Sequence, residues 1–108
     1  MPANVVEIPI NLTELTTAPN RSAIFPLNNA QRATLIVQTG PTPTAGSWVL
    51  KTLAGNDSSV GGQALITTNF PPSGRVNSAS ADVCHQYGYV EQVTPCDVAL
   101  QKVSVYLR

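Results

Sequence analysis

Charge is the scarcest ingredient of this 108-residue chain: charged side chains make up 11% of it, against about 25% in an ordinary soluble domain. The six basic and six acidic residues cancel, so no net field exists to steer nucleic acid or an anionic membrane surface. Arg21, Arg32, Lys51, Arg75, Lys102 and Arg108 are scattered rather than clustered, which excludes a basic stripe and makes nucleic acid an unexpected partner. No apolar run approaches the roughly 18 residues of a membrane span. The stretch "MPANVVEIPINL" lacks a basic start followed by a long apolar core, so no signal peptide is expected. Heptads, long helical periodicity and internal repeats are missing as well. Asn11, Asn20 and Asn56 each open a tripeptide of the glycosylation pattern, which chance explains in a chain this rich in Ser and Thr.

What is present argues against disorder. Disordered chains combine low hydrophobicity with high net charge, whereas this one is 43% apolar with none. Thr, Ser, Asn and Gln supply the polarity instead. Copies of such a surface repel one another weakly, since net charge near zero favours association. The length suits a single domain, 1–108, with one modest core. A chain of this composition is expected to pack against something.

Period-2 alternation dominates the patterning, and it marks half-buried strands. Val6, Ile8, Ile10 and Leu12 alternate with Glu7, Pro9, Asn11 and Thr13. Pro9 cannot donate to a ladder, so this segment belongs at an edge or reaches a neighbouring chain, with 1–20 as an extended N-terminal arm. "TTAPN" and "NNAQ" read as turns around a short apolar piece, Ala23 to Leu27. Ala33 to Thr39 is the clearest strand. Ser47 to Leu53 is its expected hairpin partner, with Trp48 and Leu50 on one face, across a loop longer than a tight hairpin. Ala64 to Asn69 reads as a fourth strand between the loops "AGNDSSVGG" and "FPPSG". Val98 and Leu100 share one parity and Val103, Val105 and Leu107 the other, so a one-residue bulge near Gln101–Lys102 would bring them to one face. Ala79, Val83 and Tyr87 fit one side of a short helix over 79–87, while an extended reading puts Val83, His85, Tyr87 and Tyr89 together. The fold class is all-β: a small antiparallel β-sandwich or barrel, with that one short helix as an alternative near its C-terminal third.

Reactive groups cluster only in "VCHQYGYVEQVTPC". Cys84 and Cys96 can close a disulfide worth roughly 3 kcal/mol, or remain two thiols in a reducing compartment. A metal site needs more ligands, and on a strand the adjacent Cys84 and His85 point to opposite faces. The same geometry defeats a Cys-His nucleophile pair. Glu7, Glu14, Asp57, Asp82, Glu91 and Asp97 form no motif, Gly61–Gly62 lacks the ending of a phosphate loop, and Ser59 and Ser73 lie in no nucleophile-elbow context. No enzyme, no metal and no cofactor is expected. Trp48, Tyr87, Tyr89 and Tyr106 could stack on sugar rings, but a single mid-strand Trp belongs more naturally to a core. Tyr87 and Tyr89 share a strand face and can anchor an interface.

The segments "IPINLTELTTAPN", "TLIVQTGPTPTAGSWVLKT" and "LQKVSVYLR" give the whole chain the style of small structural proteins of bacterial viruses. It resembles capsid decoration, or cement, proteins. That resemblance implies a β-sandwich or barrel, oligomeric contacts, and an N-terminal arm that crosses to neighbours through Val6, Ile8, Ile10 and Leu12. It implies the major capsid protein or another virion protein as partner, a homo-oligomer, and residence in the virion after synthesis in the host cytoplasm. Such a protein needs neither pocket nor charge. Edge pairing and uncharged hydrogen bonds supply affinity, symmetric copies multiply it, and Pro9, Pro41 and Pro43 reduce the entropy lost on ordering. The alternative is a carbohydrate-binding or host-adhesion β-sandwich that uses Trp48 and the tyrosines.

Overall fold

The alternating segments become eight strands and one short helix in the computed structural model, which describes residues 5–55, 62–70 and 75–108. In chain order these are β1 (Val6–Pro9), α1 (Leu12–Thr16), β2 (Phe25–Pro26), β3 (Arg32–Thr39), β4 (Gly46–Leu53), β5 (Gln63–Phe70), β6 (Val76–Asp82), β7 (Tyr87–Thr94) and β8 (Leu100–Leu107). Two four-stranded antiparallel sheets, ordered β1-β8-β3-β6 and β2-β7-β4-β5, lie face to face without closing into a barrel. The all-β sandwich is therefore the fold. The expected loop at 54–62 and the "FPPSG" stop fall largely outside the described residues.

Strand parity decides what is inside. On β3 the side chains of Ala33, Leu35, Val37 and Thr39 are fully buried, while Thr34, Ile36 and Gln38 between them are only half-buried. Val103, Val105 and Leu107 of β8 join the same core. Gln38 pairs with Lys102 and Thr39 with Leu100, so Gln101 is the extra residue of a bulge, in the place where the change of parity required one. From the other sheet come Trp48, Leu50, Ile66, Phe70 and Val90. Trp48 is wholly buried and meets the Phe70 ring edge-on, at 5.4 Å between centroids and 84° between planes. Its indole N–H donates to Gln92 Oε1 at 3.0 Å, and Gln92 Nε2 donates to the Leu15 carbonyl at 3.2 Å. One buried amide thus ties the core to α1.

Two expectations are corrected. The first concerns 79–87, which forms no helix: Val76–Asp82 is a strand paired along its whole length with β3, because Asn77, Ala79 and Ala81 alternate with the exposed Ser78, Ser80 and Asp82. The helix lies at Leu12–Thr16 instead. Asn11 caps it by accepting from the Thr13 N–H at 2.9 Å, and Leu15 anchors it in the core. Asn11 followed by Glu14 is the spacing of a helix start. The second correction is that β3 and β4 are not a hairpin. They belong to different sheets, and the loop from Gly40 to Ala45 carries the chain across the sandwich. Of the two alternatives left open for Cys84 and Cys96, the structure holds free thiols. They precede and follow the eight-residue β7, whose own ends an extended backbone at about 3.3 Å per residue sets roughly 23 Å apart.

Two turns rest on left-handed backbone. Asn28 and Asn29 take φ of 52° and 57°, and Ala30 N–H bonds back to the Leu27 carbonyl at 2.9 Å, the geometry of a tight primed turn that asparagine tolerates. Thr42, with φ of 53°, adopts the same region at a steric cost that asparagine does not meet.

Candidate interaction surface

Charge on the described residues is largely satisfied within the molecule. Glu7 on β1 meets Lys102 Nζ at 3.0 Å and accepts from Ser104 Oγ at 2.7 Å across the β1–β8 pairing. The Ser104 hydroxyl, then Lys102, hold the Glu7 carboxyl below its ordinary pKa, and Glu7 in turn raises that of Lys102. Lys51 of β4 lies 2.7 Å from Glu91 of β7, whose hydrogen bond raises the lysine pKa against its partial burial. Arg32 and Asp82 pair at 2.9 Å between neighbouring β3 and β6. Arg21 lies over the Tyr89 ring, 5.8 Å from its centroid. Arg75 donates to the Thr39 carbonyl and to Gln101. Most of these few charges thus stitch strands together, though Arg32, Asp82 and Lys102 stay exposed.

Asp97 has a different task. Its carboxylate accepts the Thr44 and Ala45 backbone N–H groups at 2.9 and 3.1 Å, and the Thr44 hydroxyl as well. These bonds, the Thr44 hydroxyl foremost, depress its pKa to about 2. Asp97 clamps the Pro-rich crossover to the segment between β7 and β8.

The candidate interface and cysteine residues now have a place, whereas Asn56, Asp57, Ser59, Gly61 and Ser73 lie outside the described residues. Val6 is half exposed, at 50%, on the outermost strand of its sheet. Ile8 and Leu12 are partly buried against the core, and Ile10 is inside it. β1 pairs with β8 of its own chain, Val6 opposite Leu107 and Ile8 opposite Val105. Tyr89 is buried on the outer side of its sheet, where its hydroxyl accepts from the Gly62 N–H at 3.3 Å. Tyr87 is the more accessible of the two, beside Pro26, Asn28, Asn29 and Gln86 in a shallow cleft of about 210 Å³. Trp48 offers no surface at all. Cys84 is exposed, and the neighbouring His85 turns its Nδ1 to Thr52 Oγ1 at 2.8 Å. Among the described residues no three His, Cys, Asp or Glu side chains converge. Asn11 and Asn20, the two described glycosylation-pattern asparagines, serve the helix, one as its cap and the other donating to the Leu15 carbonyl at 2.9 Å.

Sequence reasoning missed the outer face of the β1-β8-β3-β6 sheet. There Thr34 and Ser80 hydroxyls pair at 2.6 Å across β3 and β6. Val5, Arg32, Tyr106 and Arg108 join them around an open cleft of about 260 Å³. Val76, at 53% exposed, and Ser78 extend this face along the edge strand. The signal was the strict alternation in "VNSASAD", whose alanines are too weakly apolar to mark a buried side. No family model, no curated protein and no solved structure matches the chain.

Proposed function

We propose that this chain is a non-enzymatic structural protein of a viral particle, one that decorates or stabilises a capsid through contacts with other virion proteins and with its own copies. The observation that carries the reading is that most of its few described charges find partners within the chain, leaving exposed strand edges as its evident contact elements. Val5 and Val6, 55% and 50% exposed at the head of the outermost strand, support a role for this segment in contacts beyond the chain. An arm exchange would reuse the β1–β8 pairing between copies. Ile10 lies in the core, so removing residues 5–12 would damage the fold itself. Changing the exposed pair alone separates docking from folding.

The test follows the intact chain, by mass spectrometry, through a density gradient of the native source material. Co-sedimentation of the unmodified chain with large particles is the expected result, and loss of co-sedimentation on Val5→Asp plus Val6→Asp with unchanged melting assigns the contact to β1. Confinement of the wild-type chain to the free soluble fractions overturns the reading. The carbohydrate-binding alternative loses its principal platform, because Trp48 is fully buried.

A further inference from the structure

A β-sandwich of two open sheets has four edge strands, and each edge is a template for pairing unless something blunts it. Here they are β1 and β6 in one sheet and β2 and β5 in the other. β1 has four residues and carries Glu7 and Pro9; β2 has two and includes Pro26. β5 is longer, but its register slips where Lys51 pairs with Ala64, a bulge that bends an edge away from a partner. The Asn77 side chain also donates to the Asn69 carbonyl of β5. β6 is the least defended, with one charge, Asp82, at its end. It runs for seven residues, VNSASAD, without proline, bulge or lysine, in unbroken register against β3.

The ladder shows which backbone groups of β6 are open. The Thr39 N–H donates to the Arg75 carbonyl and the Val83 N–H to the Gln31 carbonyl, so the odd residues 75 to 83 face β3. Consistently, Arg32 and Arg108 exchange both their bonds, which places the even residues of β3 toward β8. The N–H and C=O groups of Val76, Ser78, Ser80 and Asp82 therefore point away from the sheet, and among the described residues none bonds to them.

We infer that β6 is a self-association edge, pairing antiparallel with β6 of a second copy about a two-fold axis through Ala79. Strands related by such an axis keep their faces only if the axis passes through a residue. Ala79 is the centre of the strand. In that register Ser78 lies opposite Ser80 of the second copy and Val76 opposite its Asp82, so all four outward residues take part, making about eight N–H···O bonds. The one charge on the strand meets a valine rather than its own copy. The two four-stranded sheets become one sheet of eight strands. A flank about 23 Å long by strand rise, and no deeper than the molecule's smallest extent of 18 Å, covers at most roughly 400 Å² per copy, about half that of a standard stable interface. The pair is accordingly weak in isolation and gains strength where copies are held side by side. This inference does not depend on the viral reading: the purified chain tests it without any particle.

The experiment is sedimentation equilibrium of the purified chain from micromolar to millimolar concentration, with amide hydrogen exchange read by NMR at both ends. The expected result is a rise in mass from 11.4 kDa toward twice that value. Val76, Ser78, Ser80 and Asp82 amides gain protection only at high concentration, while Asn77, Ala79 and Ala81 are protected throughout. Ser78→Lys with Ser80→Lys sets like charges opposite each other twice and weakens the dimer about tenfold. Ser78→Lys with Ser80→Glu sets opposite charges together in this register and restores it. A chain that stays at 11.4 kDa at millimolar concentration overturns the inference. So does a dimer in which the four even-numbered amides exchange freely, or one that the two double variants affect alike.

Discussion

Replacing Trp48 by Phe probes the joint between core and helix. The indole is wholly buried, rests edge-on against Phe70, and donates to the Gln92 side chain, itself only 8% exposed. Phenylalanine keeps the aromatic contact but removes the donor, leaving Gln92 Oε1 unsatisfied at about 1–3 kcal/mol. The smaller ring leaves a void of roughly 40 Å³, which at about 24 cal/mol per Å³ adds about 1 kcal/mol. The sum, about 2–4 kcal/mol, is a large part of the ~5–15 kcal/mol that stabilises a domain of this size. Urea unfolding followed by far-UV circular dichroism measures it, and the melting temperature should drop by roughly 10–20 °C. Gln92→Leu alone strands the indole N–H, while the Leu15 carbonyl keeps its Asn20 donor. The double variant, with indole donor and amide both gone, should be destabilised by about 1–2 kcal/mol less than the sum of the single ones. Additive effects, or a loss under 1 kcal/mol for Trp48→Phe, would refute the relay from Trp48 through Gln92 to α1.

Other substitutions read separate parts of the fold. Gly46→Ala drives a methyl group into the Trp48 ring from a backbone with φ of 148°; a loss of about 2–3 kcal/mol and a red shift of tryptophan emission are expected, and wild-type emission would contradict this. Thr42→Gly relieves a threonine held at φ of 53° and should be neutral or stabilise by up to about 1 kcal/mol in urea titrations; a clear loss would show that the Thr42 side chain matters more than its backbone. Asp97 titrates near 2 in the fold against an ordinary 3.8, so its contribution is full above that ordinary value and disappears as pH falls toward 2. The melting-temperature difference between wild type and Asp97→Asn should therefore shrink as pH drops from about 4 to 2, and a difference constant with pH would sink the clamp.

Much of the molecule was legible locally because a strand writes its burial into the chain with period 2. Ala33 to Thr39, Trp48 with Leu50, and the bulge near Gln101 all follow from which side chains must share a face. Where both sides of a strand carry small residues, as in Val76–Asp82, the period carries no energy and the local reading drifts to a helix. Asn11 and Glu14 signalled the true helix, but the alternation of Val6 to Leu12 masked them. Composition and alternation alone determined the all-β class, the single core and the poverty of charge. Only the tertiary structure decided that β3 and β4 part company, that Cys84 and Cys96 lie at opposite ends of β7, and that β6 stands as the open edge. Strand partners are chosen by how two whole sheets bury their inner faces together, and that sum over distant residues is not written in any short stretch of chain.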